Sequence, residues 1–212
     1  MKKMVLICAV AMLWSGVALA EKPVTLQKSR NGYVMDFQTP TAKVTNAGTT
    51  GFQAERTLET STFSRLSIDG FQTSDALGQA ELPVYFFNLI VSSPEETPTF
   101  VVRETSTETV TIDNPVYPAQ RPVYKCASVV PEFSYDSAYY GSRGEKNQII
   151  SIVGRENIRG IPLVRVKVSP YSYNPQSNQL TVAREMKIDI HMSTETKMVA
   201  LNSLVYEKFL RV

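Results

Sequence analysis

Apolar and polar residues alternate along most of this chain, in short runs separated by turn-forming residues. Between residues 159 and 175, Val164, Val166 and Val168 alternate with Arg165 and Lys167, so one face of the segment is apolar and the other is charged. This period of two predicts a half-buried antiparallel strand. Turn-forming residues stand on both sides of it, namely Gly160, Pro162, Asn174, Pro175, Ser177 and Asn178.

Similar runs recur along the chain, and helical periodicity is almost absent. Strands are predicted at residues 63–68, 84–91, 100–103, 110–112, 149–153, 180–182 and 186–192. The run at 84–91 is almost continuously apolar, which indicates a central strand covered on both faces. The last run places Ile188, Ile190 and Met192 inside and Lys187, Asp189 and His191 outside. Turn signals at short intervals between the runs predict an all-β sandwich or barrel.

Both ends of the chain depart from this pattern of short strand-like runs. Residues 21–70 form a polar N-terminal segment with one or two strands, one of them at 33–37, and we assign them to the same domain as residues 71–212. At the other end, Leu204, Val205, Lys208 and Phe209 recur at helical spacing behind Asn202-Ser203. That spacing predicts a short C-terminal helix.

Residues 1–20 have the pattern of a signal peptide. Lys2 and Lys3 precede an apolar run, and the small residues Ala18 and Ala20 suit cleavage after Ala20. The apolar run is shorter than the roughly 20 residues that a transmembrane helix requires, so we expect no transmembrane segment. An exported, periplasmic or extracellular protein is predicted.

Cleavage changes the charge and the cysteine inventory. It removes Lys2 and Lys3, which leaves 20 of the 22 basic residues against 20 acidic ones, a net charge of zero. A neutral chain lacks the electrostatic attraction that drives nucleic-acid binding, so no nucleic-acid partner is expected. Cys8 is removed as well, and Cys126 alone cannot form an intramolecular disulfide.

Few residues could support catalysis. After cleavage the chain has one cysteine, Cys126, and one histidine, His191, which the strand pattern places on a polar face. A catalytic Cys-His pair is disfavoured against an incidental cysteine and a solvated histidine, and one residue of each type cannot supply the usual zinc ligands. No P-loop, Gly-x-Gly-x-x-Gly or Gly-x-Ser-x-Gly motif occurs. We therefore expect a non-catalytic protein without metal or cofactor.

A long connection is the better candidate for function. Residues 114–144 carry four prolines in their first part and three tyrosines in their second. Long connections without regular structure are usually functional or disordered. Lys125 lies in the middle of the segment Pro122-Val123-Tyr124-Lys125-Cys126-Ala127, which resembles a protease substrate. From the residues alone, an ordinary exposed lysine is the preferred interpretation of Lys125.

Several motifs, taken together, resemble the propeptide of gingipain-type cysteine peptidases. In chain order they are Gly78-Gln79-Ala80-Glu81-Leu82-Pro83, Tyr117-Pro118, Asn157-Ile158-Arg159-Gly160, Pro170-Tyr171-Ser172-Tyr173-Asn174-Pro175 and Leu180-Thr181-Val182. The resemblance covers residues 77–212 and depends on the order and spacing of the motifs. Gly78, Leu82, Pro83, Arg159, Gly160, Tyr173, Asn174 and Pro175 form its scaffold motif. Ala80 stands where the family has proline.

The resemblance implies an antiparallel curled β-sandwich that covers a caspase-like catalytic domain, assists its folding and blocks its active site. In that family a basic residue on a long loop enters the specificity pocket. By position this residue is Lys125, flanked by Val123, Tyr124 and Cys126, with Arg121 as the reserve candidate and Arg143 as a third. Lys125 implies a lysine-preferring peptidase, which this chain would bind in trans. The oligomeric state is left open.

Two other functions remain as alternatives to a propeptide-like inhibitor or folding assistant. The first is a secreted structural or adhesive β-sandwich module without a peptidase partner. The second is an enzyme, whose activity would have to survive the loss of both Cys126 and His191.

Overall fold

The computed structural model describes residues 23–30, 32–123, 129–144 and 148–192. These ranges are mostly β, with two single-turn helices, α1 (Arg56–Glu59) and α2 (Ser137–Tyr140). The strands are β1 (Val24–Ser29), β2 (Gly32–Gln38), β3 (Lys43–Ala47), β4 (Phe63–Ser67), β5 (Gln72–Thr73), β6 (Pro83–Ile90), β7 (Thr99–Thr111), β8 (Ile150–Ile158), β9 (Ile161–Val168), β10 (Tyr171–Asn174) and β11 (Gln179–His191). Within these ranges no helix has the length and apolar content needed to cross a membrane.

The strands form two larger sheets and one hairpin, and all the pairings between them are antiparallel. In the five-stranded sheet, β11 is central: β7 pairs along one side of it, and β10 and β2 pair along the other, with β1 beyond β2. The four-stranded sheet has the order β5-β6-β9-β8. The hairpin consists of β3 and β4.

The main hydrophobic core is shared by the two larger sheets. Met35 and Ile188 contribute from the five-stranded sheet, and Val164 and Leu89 contribute from the four-stranded sheet. A second cluster joins β4, β10 and β11 to the chain after β7, and it includes Leu66, Tyr173, Leu180 and Val116. Burial of such side chains is the principal favourable term in folding. The second cluster therefore ties the connection after β7 to the sheets.

The strand predicted from alternating valines is confirmed as β9. Val164, Val166 and Val168 are completely buried, whereas Arg165 and Lys167 are half-buried on the other face. The predicted turn before it is also confirmed, since Arg159 and Gly160 have φ values of +53° and +83°. Two positive φ values suit the right-handed twist of a two-residue hairpin.

The predicted strand is confirmed as β6, which pairs with β9 along residues 85–90 but with β5 only at Pro83 and Val84, so its central position is confirmed only at its start. Its cover is less complete than predicted, because several of its side chains are only half-buried. Among them is Phe86, over whose ring the guanidinium of Arg165 lies at 4.8 Å from the centroid.

Two pairs of predicted short strands are each one long strand. Residues 100–103 and 110–111 lie in β7, and Ile112 follows its last residue. Residues 180–182 and 186–191 lie in β11, and Met192 follows its last residue. A register irregularity between Ala183 and Glu185 interrupts the period of two, which explains why the pattern resembled two strands. Asp189 lies opposite the core, as predicted, but it is buried at 4% exposure beside the Arg103 guanidinium.

The turn predicted at Asn174, Pro175, Ser177 and Asn178 is confirmed, but it begins one residue later than predicted, after a strand that was not predicted. Tyr171–Asn174 forms strand β10, which pairs with the start of β11, and the turn follows from Pro175 to Asn178. In the segment 21–70, β2 and β4 match predicted strands, and β1 and β3 are additional. The predicted signal peptide, its cleavage site at Ala20 and the predicted C-terminal helix lie outside the described residues.

Candidate functional site

The connection between β7 and β8 begins as a buried and paired segment, residues 115–119, which we call the upstream limb. Its main chain lies between Ser64 of β4 and the turn at residues 78–81. Main-chain N–H groups donate from Ser64 to Pro115 (2.7 Å), from Tyr117 to Ser64 (2.8 Å), from Glu81 to Tyr117 (2.8 Å) and from Ala119 to Gln79 (2.8 Å). The upstream limb is thus held on both sides, although it belongs to none of the three sheets.

The connection returns through a second paired segment, residues 131–136, the downstream limb. Gln53 holds it, because its N–H donates to the Pro131 carbonyl (2.8 Å) and its carbonyl accepts from the N–H of Phe133 (2.6 Å). The Phe133 ring is buried against Phe63 and Tyr117, with ring centroids 5.8 Å away in both cases. Burial of this ring and its contacts with two aromatic neighbours help to hold the downstream limb in place.

Gly78 joins the two limbs. Its N–H donates to the carbonyl of Ala119 in the upstream limb (2.9 Å), and its carbonyl accepts from the N–H of Asp136 in the downstream limb (3.0 Å). Its φ is +78°, and a Cβ atom at this position would lie 2.9 Å from the Asp136 nitrogen. Glycine is required here both for its backbone conformation and for the close approach of the downstream limb.

Two tyrosines satisfy the main chain of Val116 at the start of the upstream limb. The Tyr140 hydroxyl donates to the Val116 carbonyl (2.5 Å), and the Val116 N–H donates to the Tyr173 hydroxyl (3.3 Å). Burial raises the pKa of both phenols above the usual value of 10.0, so both hydroxyls keep their protons further into the alkaline range than an exposed tyrosine would. Tyr140 lies in α2, which Asp136 caps by accepting from the N–H of Tyr139 (2.9 Å).

Between the limbs the chain becomes exposed. Arg121, Pro122 and Val123 are exposed on one side, and Val129 and Val130 are exposed on the other. The three valines have 50%, 72% and 51% of their surface in solvent. Neighbouring exposed apolar side chains, as at Val129 and Val130, suit a surface that contacts another protein.

The predicted loop residues divide between described and undescribed positions. Lys125, Tyr124 and Cys126 lie outside the described residues, so their predicted roles stay predictions. Arg121, the reserve candidate, and Val123 lie where the upstream limb becomes exposed, and Arg143 is exposed beyond α2. His191 is half-exposed at the end of β11, with its Nε2 atom 4.0 Å from Oδ2 of Asp189. Among the described residues no three His, Cys, Asp or Glu side chains lie where they could share a metal ion.

The scaffold residues fall into two groups. Arg159 and Gly160 form the β8–β9 turn, in which the Asn157 side chain accepts from the N–H of Gly160 (2.9 Å). The others lie close to the limbs: Gly78 joins them, Leu82 and Pro83 are buried at the start of β6, and Tyr173, Asn174 and Pro175 lie at the end of β10. A Cβ atom on Gly144, where the connection leaves for β8, would lie 2.2 Å from the Tyr173 carbonyl and 3.2 Å from Pro175. Much of the scaffold motif therefore holds the ends of the connection.

Sequence reasoning missed Gln53 and Ser64, which hold one limb each. Both act through main-chain groups, and each pairs in parallel with a residue distant in sequence, Glu132 and Val116 respectively. Isolated bridges of this kind leave no period in the sequence, and side-chain chemistry does not signal them.

Comparison with known proteins agrees with the sequence motifs. The Propeptide_C25 family profile matches residues 29–209. A solved structure described as giving insight into the zymogenic latency of gingipain K from Porphyromonas gingivalis has a TM-score of 0.65 at 20% identity, over 80% of this chain and 91% of that one.

A second solved structure, from the complex of the Porphyromonas gingivalis RgpB pro- and mature domains, has a TM-score of 0.67 at 14% identity, over 89% of this chain and 95% of that one. No match was found among curated proteins. The fold is therefore that of gingipain prodomains, and since the family profile covers most of the chain, the protein belongs to the Propeptide_C25 family.

Proposed function

We propose that this protein binds a gingipain-type cysteine peptidase, assists its folding and keeps it inactive by placing a basic loop residue in its specificity pocket. Family membership and the shared fold support the partner class. In this proposal the two larger sheets form the curled β-sandwich that covers the catalytic domain, and the loop between the limbs reaches the pocket. Lys125 is the pocket residue and Arg121 is the reserve.

The observation that carries the proposal is the contrast between the limbs and the loop. The limbs are hydrogen-bonded to β4, Gln53 and residues 78–81, and apart from Glu132 their residues are buried or half-buried, whereas the chain at residues 121–123 and 129–130 is exposed. A loop on fixed ends loses less conformational freedom when it binds than a free segment does. The exposed valines supply apolar contact area on either side of the basic residue.

A basic side chain in a specificity pocket is a strong anchor when it meets a buried carboxylate. Truncating one partner of such a pair typically costs 2–5 kcal/mol of binding free energy, in part because the other charge is left buried and unpaired. The surrounding contacts exclude water and strengthen the pair. Inhibition is thus expected to depend on one side chain far more than on any other residue of the loop.

Inhibition assays against two peptidases test the proposed partner. Residues 21–212 are purified and titrated in trans against a lysine-specific and an arginine-specific gingipain-type peptidase, with trypsin as a peptidase of unrelated fold. We expect tight inhibition of the lysine-specific enzyme, weaker inhibition of the arginine-specific one, and simple digestion by trypsin. Absence of inhibition of both gingipain-type enzymes by a folded protein contradicts the proposal. Affinity for a surface component in that case favours an adhesive module.

Export is part of the same proposal, because residues 1–20 have the pattern of a signal peptide. Expression of the whole chain in a bacterial host, followed by mass measurement of the periplasmic protein, locates the cleavage site. We expect a product that begins at Glu21. A cytoplasmic product that retains Met1 contradicts export.

A further inference from the structure

The side chain of Gln120 crosses from the upstream limb to the downstream limb. Its Oε1 atom accepts from the N–H of Ser134 (2.8 Å), and its Nε2 atom donates to the carbonyls of Ser134 (2.8 Å) and Pro118 (2.9 Å). The amide thereby pairs with both main-chain polar groups of Ser134, as a neighbouring strand would. Reversal of the amide would put its oxygen against two carbonyl oxygens, so the network fixes its orientation.

These bonds lie at the boundary between the anchored limbs and the exposed loop. Ala119, just before Gln120, is the last upstream residue bonded to the 78–81 turn, and Phe133, just before Ser134, is bonded to Gln53. Between the limbs, residues 121–123 and 129–130 are exposed. The Gln120 side chain therefore closes the base of the loop formed by residues 121–133.

The bridge at this point restricts the conformational freedom of the loop by holding its two ends together. The conformational freedom of a loop depends on its length and on how firmly its ends are held together. Without the side-chain bridge, the limbs would still be joined through Gly78, which bonds to Ala119 and Asp136, and through the contact of the Phe133 ring with Tyr117. Gln53 would still hold Phe133, so the freedom gained would be at the upstream end of the loop, from Gln120 onward.

We infer that Gln120 is a positioning residue: its side-chain amide replaces main-chain pairing at the base of the loop and holds the loop in the form that the peptidase binds. This inference rests on the proposed function, because it assigns a role in binding to a residue that does not itself enter the pocket. The positioning role concerns the association step, since a loop whose base is open must close before the complex can form.

The test uses Gln120→Ala in the purified chain, with two readouts. The first is amide hydrogen exchange in the free protein. We expect at least tenfold faster exchange at Ser134, whose N–H loses its acceptor, and unchanged exchange at Phe133, which still bonds to Gln53. The second is inhibition of the lysine-specific peptidase, for which we expect a roughly tenfold weaker inhibition constant, mostly through slower association.

Two further variants complete the design. Gln176→Ala removes another glutamine amide, which donates to the Gly141 carbonyl (2.9 Å) away from the loop base, and it should change neither readout. Gln120→Glu preserves the shape of the side chain but removes both donors, and it should weaken inhibition at least as much as Gln120→Ala. Gln120→Glu therefore provides a second test of the role if Gln120→Ala does not fold.

The outcomes separate the inference from the proposed function. Unchanged Ser134 exchange in Gln120→Ala overturns the closure, and faster exchange with unchanged inhibition overturns the positioning role. If the wild-type chain does not inhibit, the proposed function fails and takes the positioning role with it. The exchange result then still decides whether Gln120 closes the loop.

Discussion

Gly78 links the two limbs of the loop through both of its main-chain groups, and two separate effects oppose a side chain there. The first is its positive φ, which costs an L-residue roughly 1–2 kcal/mol. The second is the 2.9 Å approach to the Asp136 nitrogen. Gly70 has a similar φ of +80°, but a Cβ atom there would meet nothing within 4 Å. Comparing alanine substitutions at Gly78 and Gly70 therefore separates the energetic cost of the backbone conformation from the cost of the close contact.

We predict that Gly78→Ala lowers the free energy of unfolding by more than Gly70→Ala does. The expected loss at Gly70 is about 1–2 kcal/mol from backbone strain alone, and the additional loss at Gly78 reports the displaced downstream limb. Urea denaturation of both variants measures the two values. Equal losses at the two positions would mean that the close approach at Gly78 has no energetic consequence.

At the same scale, only part of the candidate site could be predicted from the sequence. Gly78, Tyr173 and Pro175 were recognised as members of motifs, but the motifs did not reveal that these residues contact the limbs. Gln120 and Gln53 belong to no motif. Their partners are main-chain groups of residues distant in sequence, and such pairings depend on how the limbs pass each other in the folded protein.

At the scale of elements, strands with a regular local period were predictable and strands defined by their neighbours were not. β9 was evident because its valines alternate without interruption. β10 was hidden by Pro170 and Pro175 at its two ends, although Tyr171 and Tyr173 are both buried. β7 was divided because most of its residues between Arg103 and Val110 are polar and exposed on this edge of the sheet, and only pairing with β11 makes the strand continuous.

The loop should be needed for inhibition but should contribute little to the stability of the fold. We predict that replacing residues 122–130 with a Gly-Ser segment of equal length changes the free energy of unfolding by about 1 kcal/mol or less, because the described residues of this stretch are exposed. The same variant should lose inhibition of the gingipain-type peptidase. Urea denaturation and inhibition assays measure the two effects. A variant that still inhibits fully would show that the loop does not make the decisive contact.

At the scale of the whole molecule, buried tyrosines connect stability to pH. Burial raises the pKa of Tyr33, Tyr117, Tyr135, Tyr140, Tyr171 and Tyr173 above 10.0. Above pH 10 the unfolded chain releases protons from these phenols, whereas the folded protein retains them. The unfolded state then binds fewer protons, so stability must fall as the pH rises.

We predict a steady loss of unfolding free energy between pH 10 and pH 12, with a shallower slope in Tyr140→Phe. One group that stays protonated in the folded state contributes at most about 1.4 kcal/mol per pH unit. The variant is also expected to be less stable at pH 7, by roughly 1–3 kcal/mol, because the buried Val116 carbonyl loses its donor. Urea denaturation across the pH series checks both. An unchanged slope would contradict the assignment of a raised pKa to Tyr140.

The central claim is that an anchored loop presents one basic side chain to a gingipain-type peptidase. A sharp test is the inhibition constant of Lys125→Ala against the lysine-specific enzyme, beside Arg121→Ala and the control Lys43→Ala, which alters an exposed lysine of the β3–β4 hairpin, outside the two larger sheets. We predict a roughly 30-fold to several-thousand-fold weaker constant for Lys125→Ala, the equivalent of about 2–5 kcal/mol, and wild-type inhibition for Lys43→Ala. A large loss in Arg121→Ala alone would move the role to the reserve residue. Inhibition at the wild-type level in both loop variants would contradict the claim.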